Sequence, residues 1–510
     1  MCRLIATAII LACPVAALGQ QESVLDVGSR SQLLLDPTLV YESKNIAFTP
    51  RPARKHPNNP LLRADQPWEG WYVTMFTGSV LYDAGEKRFK MWYTAPGDPA
   101  LFMGGKGGAG SYFASSPDGL TWEKPPVGTV KVKSDMPHNR IADVLHPSVF
   151  HDPADADLRR RYKMIGFNPD RGYVALTSSD GFRWEPQSDK AIVPISYVDD
   201  VVSAFRDRRT GAYVALPKMS TPVFGRQRRS IYLSQSFDFR HWTKPEPAFF
   251  ADRRDDLGSL ARIEKARPLL GHPDNPNVIR TEFYGAGAYS AESGVVGFPF
   301  AFTVSANVPK QSNQEGPIEV QFAFSRDLET WARPYRTPAI ATGKPGEWDS
   351  GMILAASAAI DVGDEVWLYY GGTNYTHGAP ILYDPSFPGR GSKFTTAIGL
   401  ATWTRDRFAS ADGPRDGGTL TTVPMRFAGD RLEINTKTKA RGEVRVEILD
   451  PAGRPLDGYD LSEPIAGDHL RHAVVFPGKP DLTALAGKPI CLRFHLRDAE
   501  LYAFAFRSRS

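Results

Sequence analysis

The sequence contains very little cysteine. Three cysteines occur in 510 residues, and Cys2 and Cys13 lie in the first apolar segment, which leaves Cys491 in the rest of the chain. A single thiol cannot form an intrachain disulfide. We therefore expect a large hydrophobic core to provide the stability, and a chain of this length can build one.

An excess of charge of one sign is also lacking. The chain has 61 basic and 57 acidic side chains and a formal net charge of +4. A balance of this kind does not indicate nucleic acid or an anionic membrane as a partner. Zinc-binding patterns such as H-E-x-x-H or paired C-x-x-C are missing as well, so no metal and no other cofactor is predicted to be required.

Long apolar runs are missing beyond the opening segment, so no transmembrane segment is predicted. The opening, MCRLIATAIILACPVAALGQ, places Arg3 before an apolar run that ends in small residues, which is typical of a secretory signal. We predict a signal peptide over residues 1–19 and a secreted or periplasmic protein. Acylation of Cys13 as a lipoprotein is a weaker alternative, because Leu11 fits poorly in that position.

A seven-residue pattern, S-x-D-x-x-x-W or close to it, occurs four times. The copies begin at Ser116, Ser178, Ser236 and Ser325. Serine and aspartate side chains bond nearby backbone N–H groups and favour turns. A strand-like segment precedes each copy, so each copy predicts a hairpin between two outer antiparallel strands, with the tryptophan packing after the turn.

A second hairpin precedes each outer one and extends the repeat to five units. Its first strand is rich in small residues, as in SVLY, SAF, GAGAY and ASAA. Four-stranded antiparallel units with small residues in the first strand fit blades around a crowded axis. We predict an all-β protein: a five-bladed β-propeller over residues 28–413, followed by a C-terminal β-sandwich over residues 414–510, where short alternating strands continue without the heptapeptide.

An acidic residue stands just before the first strand of every unit. These candidate catalytic residues are Glu69, Asp143, Asp200, Glu282 and Asp349. If they converge at the axis, the pKa of some must rise while that of others stays low, which separates a proton donor from an ionised partner. The alternative is that each acid only solvates a loop.

Other side chains near these acids are candidates for substrate binding. Aromatic faces beside carboxylates suit a sugar ring, although each aromatic alone also fits a hydrophobic core. The basic segment RPARKHPNNPLL can hold an anion or be a solvated loop. The candidates are Trp68, His146, Asp199, Tyr284, Trp348, His377, Arg54 and His56.

The outer hairpins and the acid before each inner strand resemble the five-bladed propeller glycoside hydrolases, typified by families 32, 43, 68, 117 and 130. The resemblance covers roughly Gly28 to Gly413 and matches no single family, since the NDPNG, RDP and EC motifs of the relatives are missing. It implies Glu69 as base or nucleophile and Asp143 as stabiliser. The third unit offers Asp199 and Asp200 where the relatives have the acid Glu. A structural Ca²⁺ at the axis is also allowed by the resemblance.

The leading hypothesis is an exported glycoside hydrolase that acts on a poly- or oligosaccharide. One alternative is a non-catalytic carbohydrate-binding propeller, whose acids hold Ca²⁺ or sugar hydroxyls. Another is a glycoside phosphorylase. The sugar, the linkage, the stereochemical course and the oligomeric state are not predicted by the sequence.

Overall fold

The structure is a computed structural model that describes residues 24–97, 109–132, 136–194, 199–310, 313–382, 388–389, 391–478 and 481–508. The predicted signal peptide and Cys13 lie outside the described residues. The described residues are mainly β-strand, as predicted, with two short helices at Arg253–Leu257 and Ser259–Ala266. Neither these helices nor any other described helix is long and apolar enough to cross a bilayer.

Five antiparallel meanders follow one another along the chain, and we number them units one to five. Unit one comprises strands Thr74–Asp83, Arg88–Ala95, Gly110–Ser116 and Arg140–Ala142. Unit two comprises Leu145–His151, Tyr162–Asn168, Gly172–Ser178 and Glu185–Pro186, with Val193–Pro194 also on its third strand. Unit three comprises Val202–Arg206, Tyr213–Val223, Arg226–Ser236 and Glu246–Phe249.

The last two units are less regular. Unit four comprises Arg280–Ser290, Val295–Val304, the pair Ile318–Gln321 and Ala323–Ser325, and Pro338–Ile340. Unit five comprises Met352–Ala355, Glu365–Thr373 and Thr396–Thr404, with Ile360–Val362 on its second strand. A parallel bridge between Ile318 and Met352 joins the two units into one sheet.

Small side chains let the first strands of neighbouring units contact one another in a closed ring. The N–H of Val149 in unit two donates to Ser79 Oγ in unit one (2.8 Å), and the N–H of Ala204 in unit three donates to Ser148 Oγ in unit two (3.0 Å). The remaining contacts of the ring are Ser203 Oγ to Ala286 O, Ala288 N to Ser357 O, and Ser357 N to Gly78 O. The five units therefore surround a common axis.

The outermost strand of unit five comes from the N-terminal part of the chain. Arg54–Lys55 pairs with the third strand of this unit, through Ala401 and Thr402. The segment RPARKHPNNPLL thus contains the edge strand of unit five. The last outer hairpin in the sequence is incomplete because the strand that pairs with it lies about 350 residues earlier in the chain.

The four heptapeptides form the same turn, as the pattern predicts. In each copy the aspartate Oδ1 accepts from two following N–H groups at 2.7–2.9 Å. The fourth residue has positive φ in every copy, and it is glycine in two of them, Gly119 and Gly181. A neighbouring unit also holds each turn: Trp92 Nε1 of unit one donates to Gly181 O of unit two at 3.0 Å, for example.

The C-terminal strands form an eight-stranded sheet together with N-terminal strands. Its members are Gln32–Leu33, Val40–Lys44, Ala47–Pro50, Ala409–Gly413, Gly418–Thr422, Arg431–Leu449, Asp468–Ala473 and Cys491–Arg507. A short parallel pair, Leu25–Gly28 with Met425–Phe427, lies beside it. Val27, Leu34 and Leu39 share a hydrophobic core with this sheet. The predicted division at residues 413 and 414 stays a prediction, and the pairing shows that residues 25–50 associate with the C-terminal strands.

Candidate active site

A cavity opens at the end of the axis where the first strands begin. Its volume is about 120 Å³, which is room for roughly four water molecules at about 30 Å³ each. The walls are formed by aromatic rings, threonine hydroxyls and two groups with acid–base chemistry. The residues that bear on function are Tyr72, Tyr284, Tyr375, Thr74, Thr373, Thr396, Asp200 and His377.

Asp200 places a carboxylate in the wall of this cavity. Its side chain is 41% exposed, whereas the ammonium group that binds it, Lys218 Nζ at 2.6 Å, is on a side chain only 1% exposed. Burial raises the pKa of Asp200, but the bond and the charge of Lys218 outweigh that effect and hold the pKa well below its usual range. Asp200 is therefore ionised at neutral pH.

Asp199 lies next to Asp200 and shares its cations. Its Oδ1 accepts from the N–H of Asp200 at 2.9 Å. Its Oδ2 lies 3.3 Å from Lys218 Nζ and 3.8 Å from Arg229 Nε. The two aspartates and the two cations form one network at the start of unit three.

Tyr284 and His377 form a hydrogen-bonded pair in the cavity wall. His377 Nε2 lies 2.9 Å from the Tyr284 hydroxyl, and His377 Nδ1 lies 2.7 Å from the backbone oxygen of Gln314. A carbonyl oxygen can only accept, so Nδ1 donates and Nε2 accepts from the tyrosine. Burial and the nearby Arg229 lower the pKa of His377 to about 3, so the imidazole is neutral at physiological pH.

Two cations lie against the ring of Tyr284. Lys218 Nζ is 3.7 Å from the ring centroid, and the guanidinium carbon of Arg229 is 5.2 Å from it. Arg229 also donates to Glu282 Oε2 at 2.7 Å and to Gln314 Oε1 at 2.8 Å. Lys218 thus contacts both the carboxylate of Asp200 and the ring of Tyr284.

His146 is buried beside the cavity rather than exposed to it. Its Nδ1 is 3.1 Å from the backbone oxygen of Phe76, whose side chain lines the cavity. Burial lowers the pKa of His146 to about 4. The neutral ring lies behind the cavity wall and supports it. The backbone φ of His146 is 59°, so the chain bends sharply at this residue.

Three of the five predicted acids are enclosed in ion pairs. Glu69 is fully buried: Lys124 Nζ and two backbone N–H groups bind one of its oxygens, and the Tyr93 hydroxyl binds the other at 2.6 Å. Asp349 is 2% exposed and is bound by Lys55 Nζ at 2.5 Å and by a tyrosine hydroxyl. Glu282 is held by Arg229 and by a second arginine, Arg280, at 2.6 Å.

The remaining candidates do not line the cavity. Asp143 is 67% exposed and pairs with Arg140. Arg54 is exposed and pairs with Glu365, while the imidazole of His56 accepts from the N–H of a residue in its own loop. Trp68 donates to Asn139 at 2.8 Å, and Trp348 stacks on Tyr370 at 5.5 Å. The structure brings together Asp199, Asp200, Glu282, Tyr284, His377 and His146, and it places the others elsewhere.

Sequence reasoning missed the two cations that organise the site. Lys218 and Arg229 lie on the two strands of the long hairpin of unit three, Tyr213–Val223 and Arg226–Ser236, where Lys218 pairs with Ile231 and Arg229 pairs with Ser220. One signal was present: in YVALPKM a lysine interrupts an apolar strand, and a lysine is rarely buried without a partner. Within the described parts of the chain, no group of three or more His, Cys, Asp or Glu side chains is arranged to hold a metal ion.

No family model and no curated protein matches this chain. Solved structures do. A glycosyl hydrolase from Bacteroides ovatus is 16% identical, over 72% of this chain and 97% of that one, with a TM-score of 0.42. A β-1,2-mannobiose phosphorylase from Listeria innocua is 14% identical, over 68% and 96%, with a TM-score of 0.39.

A third match is the catalytic domain of an α-L-arabinofuranosidase from Coprinopsis cinerea. It is 13% identical, over 72% of this chain and 98% of that one, with a TM-score of 0.37. Since these three TM-scores lie below 0.5, no residue role is transferred from these proteins. The names of the three matches are those of two glycoside hydrolases and a phosphorylase, and they select no single family.

Proposed function

We propose that the protein is an exported glycoside hydrolase with the architecture of a five-bladed β-propeller and a C-terminal β-sandwich. It binds a sugar ring of a poly- or oligosaccharide in the axial cavity and cleaves the adjoining glycosidic bond. One observation carries the proposal: the carboxylate of Asp200 is exposed in the cavity wall and is kept ionised by the buried Lys218.

The rest of the wall supports a sugar as the ligand. Aromatic faces of Tyr72 and Tyr375 suit the apolar face of a sugar ring. The threonines Thr74, Thr373 and Thr396 offer hydroxyls for hydrogen bonds to the ring substituents. The positive charges of Lys218, Arg229 and Arg280 balance the negative charges of the carboxylates at this end of the axis. The site therefore suits a neutral sugar.

An ionised carboxylate suits the role of base or nucleophile rather than that of proton donor. In the proposed reaction Asp200 takes a proton from a water molecule, and the water oxygen attacks the anomeric carbon. The resemblance gave this role to Glu69 by position. Glu69 is fully buried and both of its oxygens are occupied, so Asp200 is the better candidate for the base.

The test measures product release from a panel of oligosaccharides, with and without added phosphate. Asp200→Asn keeps the size of the side chain and removes the base, so we expect kcat/KM to fall by about 100-fold or more. Asp143→Asn is the matched control, because Asp143 also precedes a first strand but lies outside the cavity lining. Its activity is expected to stay within about threefold of wild type.

The outcomes separate the alternatives. Strict dependence of turnover on phosphate would identify a phosphorylase. Binding of glycans without any product would identify a carbohydrate-binding protein. Loss of activity in Asp143→Asn with normal turnover in Asp200→Asn would contradict the assignment of the base.

Export is part of the proposal and rests on the N-terminal segment. Arg3, the apolar run and the small residues up to Gly19 have the layout of a secretory signal. Sequencing the N-terminus of protein recovered from outside the cytoplasm tests it: we expect the mature chain to begin at Gln20.

A further inference from the structure

The long hairpin of unit three projects beyond the end of the axis where the cavity opens. The first strand of the unit begins at Val202, which pairs with Pro217, and the second strand continues from there to Val223. Lys218, the first residue beyond that pairing, binds Asp200 in the cavity wall. At about 3.3 Å per residue, Val223 lies about 17 Å farther along the hairpin than Lys218. The tip of the hairpin therefore stands outside the cavity, on the side where it opens.

The hairpin tip carries an exposed aromatic ring that lies against a short helix. Phe224 at the tip is 52% exposed. The guanidinium carbon of Arg253, in the helix Arg253–Leu257, is 5.1 Å from the centroid of this ring. Arg226 on the hairpin and Arg253 and Arg254 on the helix are also exposed. We call these four residues, Phe224, Arg226, Arg253 and Arg254, the arginine patch.

The positive charges of the arginine patch are not compensated by carboxylates. Within the described parts of the chain, none of its three arginines forms an ion pair, and Arg254 donates to the backbone oxygen of Pro334 at 3.4 Å. The neighbouring acids are bound by other arginines: Asp252 by Arg336 at 2.5 Å, Asp255 by Arg333 at 2.5 Å, and Asp256 by Arg228 at 2.8 Å. The patch therefore offers net positive charge to a ligand.

The side chains of the arginine patch match the chemistry of an acidic sugar. A guanidinium group presents a planar fork of N–H donors that fits the two oxygens of a carboxylate. An exposed aromatic face such as that of Phe224 suits the apolar face of a sugar ring. A uronate residue of a polysaccharide has both a carboxylate and such a ring face.

We propose that the arginine patch binds uronate residues of the substrate, several rings away from the bond that is cleaved. The cavity takes a neutral ring, and the acidic rings lie over the hairpin tip outside it. The substrate class is thus an acidic polysaccharide that also contains neutral sugars. Its assignment as the substrate rests on the proposed function, whereas the binding surface is tested by affinity alone.

The test measures binding by isothermal titration calorimetry. The ligands are oligosaccharides of galacturonate, glucuronate or mannuronate, each compared with its carboxyl-reduced counterpart. We expect wild type to bind at least one acidic oligosaccharide, with an affinity that falls as salt screens the charges. Its carboxyl-reduced counterpart should bind about tenfold more weakly. The triple variant Arg226→Gln, Arg253→Gln and Arg254→Gln should raise the Kd of the acidic oligosaccharide about tenfold.

A second triple variant is the matched control. Arg240→Gln, Arg415→Gln and Arg426→Gln together remove the same charge from exposed arginines elsewhere, and the Kd should stay within about twofold of wild type. Phe224→Ala tests the aromatic ring and should raise the Kd about fivefold. Thermal unfolding of each variant checks that the protein folds.

Some outcomes overturn the arginine patch as a uronate site. They are an equal Kd for wild type and the patch variant with every acidic oligosaccharide, an equal loss in the control variant, and binding to phosphatidylglycerol vesicles in place of the oligosaccharides.

The results also distinguish this inference from the proposed function. If wild type cleaves neutral glycans but binds no acidic oligosaccharide, the inference is overturned while the hydrolase remains. If the patch variant loses uronate binding but wild type cleaves no glycan, the hydrolase is overturned while the binding surface remains.

Discussion

At the scale of single residues, every acid that precedes a first strand is bound by a basic side chain. The pairs are Glu69 with Lys124, Asp143 with Arg140, Asp200 with Lys218, Glu282 with Arg229, and Asp349 with Lys55. The recurrence of these acids could be read from the sequence. Their partners could not, because Lys55 and Asp349 are 294 positions apart and local patterns do not encode such contacts. Exposure separates Asp143 and Asp200 from the three buried acids, and of these two only Asp200 lines the cavity.

Replacing Lys218 with methionine tests how Asp200 is kept ionised. The pKa of Asp200 lies below its ordinary value of 3.8 in the folded protein, so activity that needs the carboxylate is lost only as the pH falls through that low pKa. Without Lys218, burial is left to raise the pKa. We expect the acid limb of the kcat/KM profile to move upward by about one to three pH units.

The matched control for this experiment is Lys244→Met, which alters an exposed lysine of the same unit. Its acid limb should coincide with that of wild type. An acid limb that stays in place in Lys218→Met would show that Lys218 does not set the ionisation of the catalytic carboxylate.

At the scale of elements, the heptapeptide turn is the best predicted part of the molecule. Serine and aspartate bind backbone N–H groups a few residues ahead, so the turn is determined locally and its sequence is sufficient to recognise it. The turn also contacts the adjacent unit, as Trp92 does at Gly181. The edge strand Arg54–Lys55 was missed for the opposite reason, because two residues carry no periodicity and their partner strand is distant.

Ser178→Ala tests the turn. Ser178 is buried, and its Oγ accepts from the N–H of Gly181 at 2.9 Å. Alanine leaves that buried donor without its acceptor, so the free energy of unfolding should fall by about 1–3 kcal/mol. Urea unfolding measures the change.

Ser188→Ala provides the comparison, because Ser188 accepts a similar hydrogen bond from Lys190 but is exposed. Water can replace the lost acceptor there, and the expected cost is within about 0.5 kcal/mol. Equal effects of the two substitutions would contradict a structural role for the buried turn serine.

At the scale of the whole molecule, the two ends of the chain lie together. Residues 25–50 pair with C-terminal strands, and Arg54–Lys55 then closes unit five before unit one begins at Thr74. The sequence predicts the units and the C-terminal strands from their alternation. It does not predict that the N-terminal segment pairs with both unit five and the C-terminal strands, because such long-range pairing depends on the assembled fold.

Lys55→Met tests the closure of unit five. Asp349 is 3% exposed at its side chain, and the substitution leaves its charge without Lys55. Removing one partner of such a pair should lower the free energy of unfolding by about 3 kcal/mol. Arg54→Met, on the same strand, breaks an exposed pair with Glu365 and should cost less than about 1 kcal/mol. A larger effect of Arg54→Met than of Lys55→Met would rule out this explanation.

The most direct test of a sugar-cleaving cavity is a crystal structure of the Asp200→Asn variant with an oligosaccharide from the panel. A sugar ring should occupy the axial cavity, with its anomeric carbon near the side chain at position 200 and a water molecule between the two. An empty cavity, with the oligosaccharide bound instead in the groove of the C-terminal sheet beside Lys44, Arg445 and Arg497, would contradict it.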